Sequence, residues 1–271
     1  MTPTFDPGCA AEPFASLADD APGAAAYPGD AFRIEWGPVF HRGRLDGSAR
    51  VLVIGQDPAQ HEAIVRRILV GEAGHRVQGL LAKLGFERSY VMINTFLYSV
   101  FGQTGGTEHQ HDAGIADYRN RWLDAIFATA PIEAVIALGT LANGAWSAWK
   151  ATPGAAAFSP GFVHITHPTA PESGAGNDAA KHAHLISQML ANWNHGLDVI
   201  APHVTHPDHA RPLVHYGTSF KAGDQTPIPL VDLPAGTPEW MATDDGWATR
   251  TGSGATKRAT ITVKVPTGSL P

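Results

Sequence analysis

The sequence predicts an α/β protein of three layers, with helices on both faces of a central four-stranded parallel sheet. Two observations carry this. Four short apolar runs, VLVIG (51–55), SYVMIN (89–94), IEAVIALG (132–139) and GFVHITHP (161–168), read as strands separated by stretches of helical periodicity. That alternation needs crossover connections, and crossovers join parallel strands. The runs are also nearly continuous in apolar residues, as strands are when the sheet is covered on both faces.

The elements follow in chain order. Residues 1–50 are rich in Ala, Pro and Gly and read as an arm packing on the core, with one short helix and a turn near HRGRLDGSAR. After the first strand, Val77, Leu80, Leu81 and Leu84 recur at helical spacing and Gly85 marks a stop. Residues 114–130 form an amphipathic helix with Tyr118, Trp122 and Ile126 turned inward. A helix over 140–150 is expected to be capped by Thr140, and another spans 178–194. From Gly196 the helical period is lost and Pro and Gly become frequent, with short β-like pieces at PIPLVDL and TITVKVP. The expected division is an arm (1–50), an α/β core (51–195) and an irregular C-terminal extension packing on that core (196–271).

Composition narrows the function. The chain has 271 residues, 44% of them apolar, and a formal charge of −6, so no global basic field marks a nucleic-acid binder. A local basic patch depends instead on where the charges sit. Cys9 is the single cysteine, which excludes a disulfide framework, an iron–sulfur cluster on protein thiolates and a Cys-based zinc site. No run reaches the roughly 18 apolar residues of a membrane span. The acidic start MTPTFDPGCAAEP lacks the apolar stretch of a signal peptide, so the expected location is cytoplasmic.

In open parallel sheets, ligands bind beyond the carboxyl ends of the strands. The first strand delivers Gln56 and Asp57 there, the second Asn94, the third Gly139 and Thr140, the fourth His167. An acid, an amide and an imidazole thus converge from distant parts of the chain. Gly55-Gln56-Asp57-Pro58 and His167-Pro168-Thr169 resemble the two signature motifs of the uracil-DNA glycosylase superfamily, and Asn94 falls where that family carries an asparagine. The resemblance covers roughly residues 50–195.

What the resemblance implies is a uracil-DNA glycosylase-like fold and a monofunctional glycosylase of base excision repair. Such an enzyme flips uracil out of DNA and hydrolyses its bond to the sugar, without a cofactor. Asp57 and His167 take the catalytic places. Gln56 and Asn94 contact the base, with Asn94 separating uracil from cytosine by its pattern of donor and acceptor. No lysine stands in either motif to form a Schiff base. Three departures mark this chain. Ala59 and Gln60 follow the first motif where the best-known branch has tyrosine and histidine. The segment RRILVGEAGHRVQGLLAKLGF resembles the iron–sulfur branch, but Leu69 replaces its base-stacking aromatic, leaving Phe101 and Tyr98 as further stacking candidates. The loop after His167 offers Thr169, Ala170 and Pro171 in place of a wedging leucine. Arg66, Arg67, Arg76 and Lys181 are the candidate phosphate contacts. The implied partners are uracil-containing DNA as substrate and free uracil as product, with no membrane, for a monomer.

Two other readings remain open at this level. The 14 histidines include EHQHD (Glu108–Asp112), which with His164 and His167 suits the nitrogen/oxygen site of a metal-dependent hydrolase, and HVTHPDH (203–209) adds three more. A non-catalytic protein binding nucleic acid or a nucleobase would keep the same fold.

Overall fold

The computed structural model describes residues 5–102, 106–253 and 260–269. The N-terminal half contains α1 (Phe14–Asp19), β1 (Phe32–Arg33), β2 (His41–Gly43), β3 (Val51–Gly55), α2 (Gln60–Val65), α3 (Glu72–Lys83), β4 (Tyr90–Asn94), β5 (Ser99–Val100) and α4 (Ala113–Thr129). The remainder contains β6 (Ala134–Leu138), α5 (Gly139–Lys150), β7 (Gly161–Ile165), α6 (Ala170–Ala175), α7 (Ala179–Ile200), α8 (Glu239–Thr243), β8 (Ala248–Arg250) and β9 (Ile261–Val263).

The central sheet has the order β2-β4-β3-β6-β7. Strands β4, β3, β6 and β7 pair in parallel and are the four strands the sequence predicts. The fifth, β2, comes from the N-terminal arm and pairs antiparallel with β4. Its sequence, His41-Arg42-Gly43, has no apolar run, which is why it escapes a reading based on hydrophobicity.

Alternation along the strands divides the core into two layers. Leu52, Ile54, Val91, Ile93, Val135 and Ala137 pack with Trp122, Leu123 and Ile126 of α4 and Leu141, Trp146 and Trp149 of α5. Val51, Val53, Met92, Ile136, Val163 and Ile165 face the other way, onto Leu80 and Leu81 of α3 and Met189, Leu190 and Trp193 of α7. Both faces are therefore covered, as the continuous apolar strands require.

Three local expectations are corrected. Thr140 does not cap α5: the preceding position is Leu138, and no side chain caps that end. Helix α7 runs past Gly196 to Ile200, because Leu197 and Ile200 continue the buried stripe of Ile186, Met189, Leu190 and Trp193. PIPLVDL is not a strand; Leu230–Asp232 is a 3₁₀ turn, whereas TITVKVP does contain β9, paired antiparallel with β8.

The extension is tied to the sheet by a buried charge. Asp232 and Arg42 are both fully buried, 3.3 Å apart, and Asp232 also accepts from Tyr90 Oη and pairs with Arg44. Arg42 spends its other donors on Ile68 O (3.1 Å) and Gln78 Oε1 (3.0 Å). A third apolar cluster, Val65, Val70, Ile228, Leu233, Ala242, Trp247 and Ala248, joins α2 to this segment. Removing one partner of a buried pair leaves an uncompensated charge, so Asp232→Ala is expected to cost about 3–5 kcal/mol in urea denaturation. Limited proteolysis of that variant should cut first beyond Ile200.

Candidate functional site

Register brings the strand ends to one level. Gly55 pairs with Asn94 and Leu138 with Ile165, while Ile54 opposite Ala137 locks the two pairs together. The residues just past these ends line one cleft of about 700 Å³ that includes Gln56, Asp57, Asn94 and His167. That is a volume typical of small-molecule sites. The convergence expected from the sequence is present.

Asp57 is held by a turn whose backbone is paired with the chain after β4. Thr95 N–H donates to Gly55 O (2.9 Å) and Phe96 N–H to Gln56 O (3.0 Å). Val100 N–H donates to the Asp57 carboxylate at 2.9 Å. Burial pushes the Asp57 carboxyl up to about 6, with Glu62 adding to the rise, while the Val100 N–H, Arg250 and Arg33 pull the other way. Glu62 braces the same turn, accepting from Ala59 N–H and Val70 N–H, each at 3.0 Å. It stands three residues after Ala59, the spacing of the acid in a capping box, and that spacing is the one signal by which the sequence could have revealed it.

Asn94 is 8% exposed and lies against the backbone of Gly55, where a Cβ would come within 2.3 Å of its Oδ1. Among the described residues its carboxamide makes no side-chain hydrogen bond, which leaves donor and acceptor for a ligand. His167 rests on Gly139, whose φ of +85° and lack of a side chain leave room for the His167 Cβ. Thr169 N–H donates to His167 Nδ1 at 3.3 Å. Burial lowers the His167 pKa to about 4, with Glu172 opposing the shift and Arg76 assisting it. The ring is therefore neutral at pH 7. With Nδ1 accepting, its proton sits on Nε2.

The other expected site residues divide. Leu69, Thr169 and Ala170 line the cleft, Leu69 at a strained φ of +53°. Phe101 does not: its ring is stacked under the Arg33 guanidinium (4.4 Å) beside the cleft. Among the described residues no Phe, Tyr or Trp lines the cleft. Arg66, Arg67 and Arg76 are struts rather than surface cations. Arg66 donates to Trp36 O (2.7 Å) and Pro38 O, Arg67 to Asp6 and Arg66 O, and Arg76 to Glu172 (2.8 Å), Glu72 and Pro168 O. Lys181 is exposed on the first turn of α7, outside the cleft lining. Sequence reasoning missed one whole wall, Asp245, Gly246, Ala248, Thr249 and Arg250, for which no motif exists.

Among the described residues no three His, Cys, Asp or Glu side chains are grouped to hold a metal ion. His109 is instead paired with Asp112 (2.8 Å) and Glu108 (3.8 Å). Among the described residues no helix is long and apolar enough to cross a membrane.

The structure is a mostly parallel α/β/α sheet with an acid, an amide and a neutral imidazole gathered at its carboxyl edge. A family model for the uracil DNA glycosylase superfamily matches residues 42–205, and the chain belongs to that superfamily. Membership makes it a glycosidase-type hydrolase of the DNA-repair class, in a superfamily whose members differ in the base they remove. A search of curated proteins found no match.

The support of His167 by Gly139 is directly testable. Gly139→Ala puts a Cβ at φ +85° and 3.2 Å from the His167 Cβ. A loss of about 1–2 kcal/mol in thermal unfolding is expected from the backbone alone. The His167 ring resonances should shift in the same variant.

Proposed function

We propose that the protein is a monofunctional uracil-DNA glycosylase that hydrolyses the bond between uracil and deoxyribose and leaves an abasic site. The observation that carries this reading is the meeting of Asp57, Asn94 and a neutral His167 in one cleft. As the C1′–N1 bond breaks, the base departs with the bonding pair and positive charge develops on the sugar. The Asp57 carboxylate stabilises that cation and orients a water, whose oxygen bonds to C1′ and whose proton passes to the carboxylate. His167 donates from Nε2 to the base oxygen where negative charge collects, as an oxyanion donor does. A pKa of about 4 suits that role, because the ring has no proton to spare for general acid catalysis at pH 7 and acts purely as a hydrogen-bond donor.

Asn94 supplies the choice of base. Its Nδ2–H₂ meets a carbonyl of uracil and its Oδ1 accepts from the ring N3–H. Cytosine presents an acceptor and an amine at those places and would leave buried polar groups unpaired, at about 1–3 kcal/mol each. Among the described residues no lysine lines the cleft, in keeping with a hydrolytic rather than a Schiff-base route.

The test is an excision assay on oligonucleotides carrying uracil, thymine, cytosine or hypoxanthine, each single- and double-stranded, followed by alkali. Cleavage at uracil alone is expected, and absence of cleavage at uracil rejects the reading. His167→Ala should slow excision by about 10²–10³-fold while DNA binding persists. Asn94→Asp should narrow the gap between uracil and cytosine.

Asp57 must be ionised to act, so kcat/KM should rise through pH about 6 and level off above it, and this limb should be missing in Asp57→Asn. The same shift has a sign for stability. Folding raises the Asp57 pKa from 3.8 to about 6, so the folded state holds this proton more tightly than the unfolded one. Stability therefore falls as pH rises between those values and stays lower above them. Asp57→Asn, nearly inactive, should melt at a higher temperature than the wild type at pH 7.

A further inference from the structure

The described lining of the cleft is electrostatically unsuited to a polyanion except at one place. Among the described residues, Asp57, Glu62, Glu72 and Asp245 line it, and Arg250 is the one Lys or Arg of that lining. A DNA strand entering there carries a negative charge at every phosphate. The arginines of the core do not answer that charge, since Arg66, Arg67 and Arg76 are spent on backbone carbonyls and carboxylates inside the protein. Arg250 lies on β8, beyond the residues that match the superfamily. Its side chain is exposed and, among the described residues, makes no hydrogen bond or ion pair.

The strand that carries it is firmly seated. Trp247, just before β8, is 1% exposed and meets the His61 ring edge-on at 4.8 Å. Gln60 Nε2 donates to Ala248 O at 3.4 Å, and Lys264 N–H donates to Trp247 O at 2.8 Å. Ala248 is buried, while Thr249 and Arg250 face outward. Gln60 and His61, which follow the first signature motif, thus serve to dock the C-terminal hairpin against the mouth of the cleft.

We propose that Arg250 is a phosphate contact of the substrate strand, binding the backbone beside the nucleotide held at Asp57, and that β8 is the outer wall of the DNA path. The assignment rests on the glycosylase reading for the identity of the ligand. It accounts for how an acidic protein recruits a polyanion with its core arginines occupied.

The test compares wild type, Arg250→Ala and Arg250→Lys as full-length proteins. Fluorescence anisotropy would follow a short labelled oligonucleotide with one central uracil over a series of NaCl concentrations, alongside single-turnover excision at saturating protein. Arg250→Ala should bind about tenfold more weakly at low salt, and the slope of log K against log salt should shrink by about one unit. Arg250→Lys should keep the slope. Measured well above pH 6, where Asp57 is ionised with or without the pull of Arg250, the saturating excision rate should change far less than the affinity. Unchanged affinity and slope in Arg250→Ala overturn the assignment, as does a loss of affinity with an unchanged slope, which marks a merely structural role. If the wild type binds the oligonucleotide but excises nothing, the uracil-glycosylase reading falls while the salt slope still decides Arg250. A wild type that binds no oligonucleotide overturns both.

Discussion

Parallel hydrogen bonding of β4, β3, β6 and β7 is the constraint on which the rest of the molecule depends. Because these four strands run the same way and in fixed register, Gly55, Asn94, Leu138 and Ile165 end on one level. Every crossover must then leave from the same edge. The residues immediately after the strands are thereby gathered without any contact between them being needed. Asp57, Asn94 and His167 are separated by 37 or more positions in the chain and share one cleft for this reason alone.

The cleft is held against local preference. Burial works against the charge that Asp57 needs, and a single backbone donor, Val100 N–H, offsets part of it. His167 packs closely over residue 139, where a Cβ would crowd it at 3.2 Å, and Leu69 adopts a left-handed backbone at the rim. Such costs are repaid by the apolar layers on each side of the sheet, where Trp149 and Trp193 are completely buried. Site and core thus divide the work: packing supplies stability, and the strand ends spend some of it on geometry.

Charge is distributed by the same logic. Arginines that follow the first motif in sequence lie next to the site, yet their guanidinium groups close loops: Arg66 gathers two carbonyls of the N-terminal arm, and Arg76 ties α3 to the loop after His167. Arg42 and Asp232 fasten the C-terminal extension beneath the sheet edge. With the extension so anchored, β8 stands at the cleft mouth and brings Asp245 and Arg250 to a site otherwise built from residues 56–173.

Much of this was legible in the chain itself. Hydrophobic runs and helical spacings disclose the four parallel strands and the main helices, since burial on both faces leaves a strong one-dimensional pattern. GQDP and HPT disclose the acid and the imidazole, because strand-end turns bearing reactive side chains are local in sequence. Strand β2 left no such trace, being three residues whose burial depends on partners as distant as Asp232. Nor did the fates of Arg66, Arg67 and Arg76, for a guanidinium is a strut or a surface cation according to which acceptors the fold brings near it. The wall formed by Asp245–Arg250 likewise belongs to tertiary structure: short polar strands carry no period of their own, and only docking against Gln60 and His61 decides where they lie.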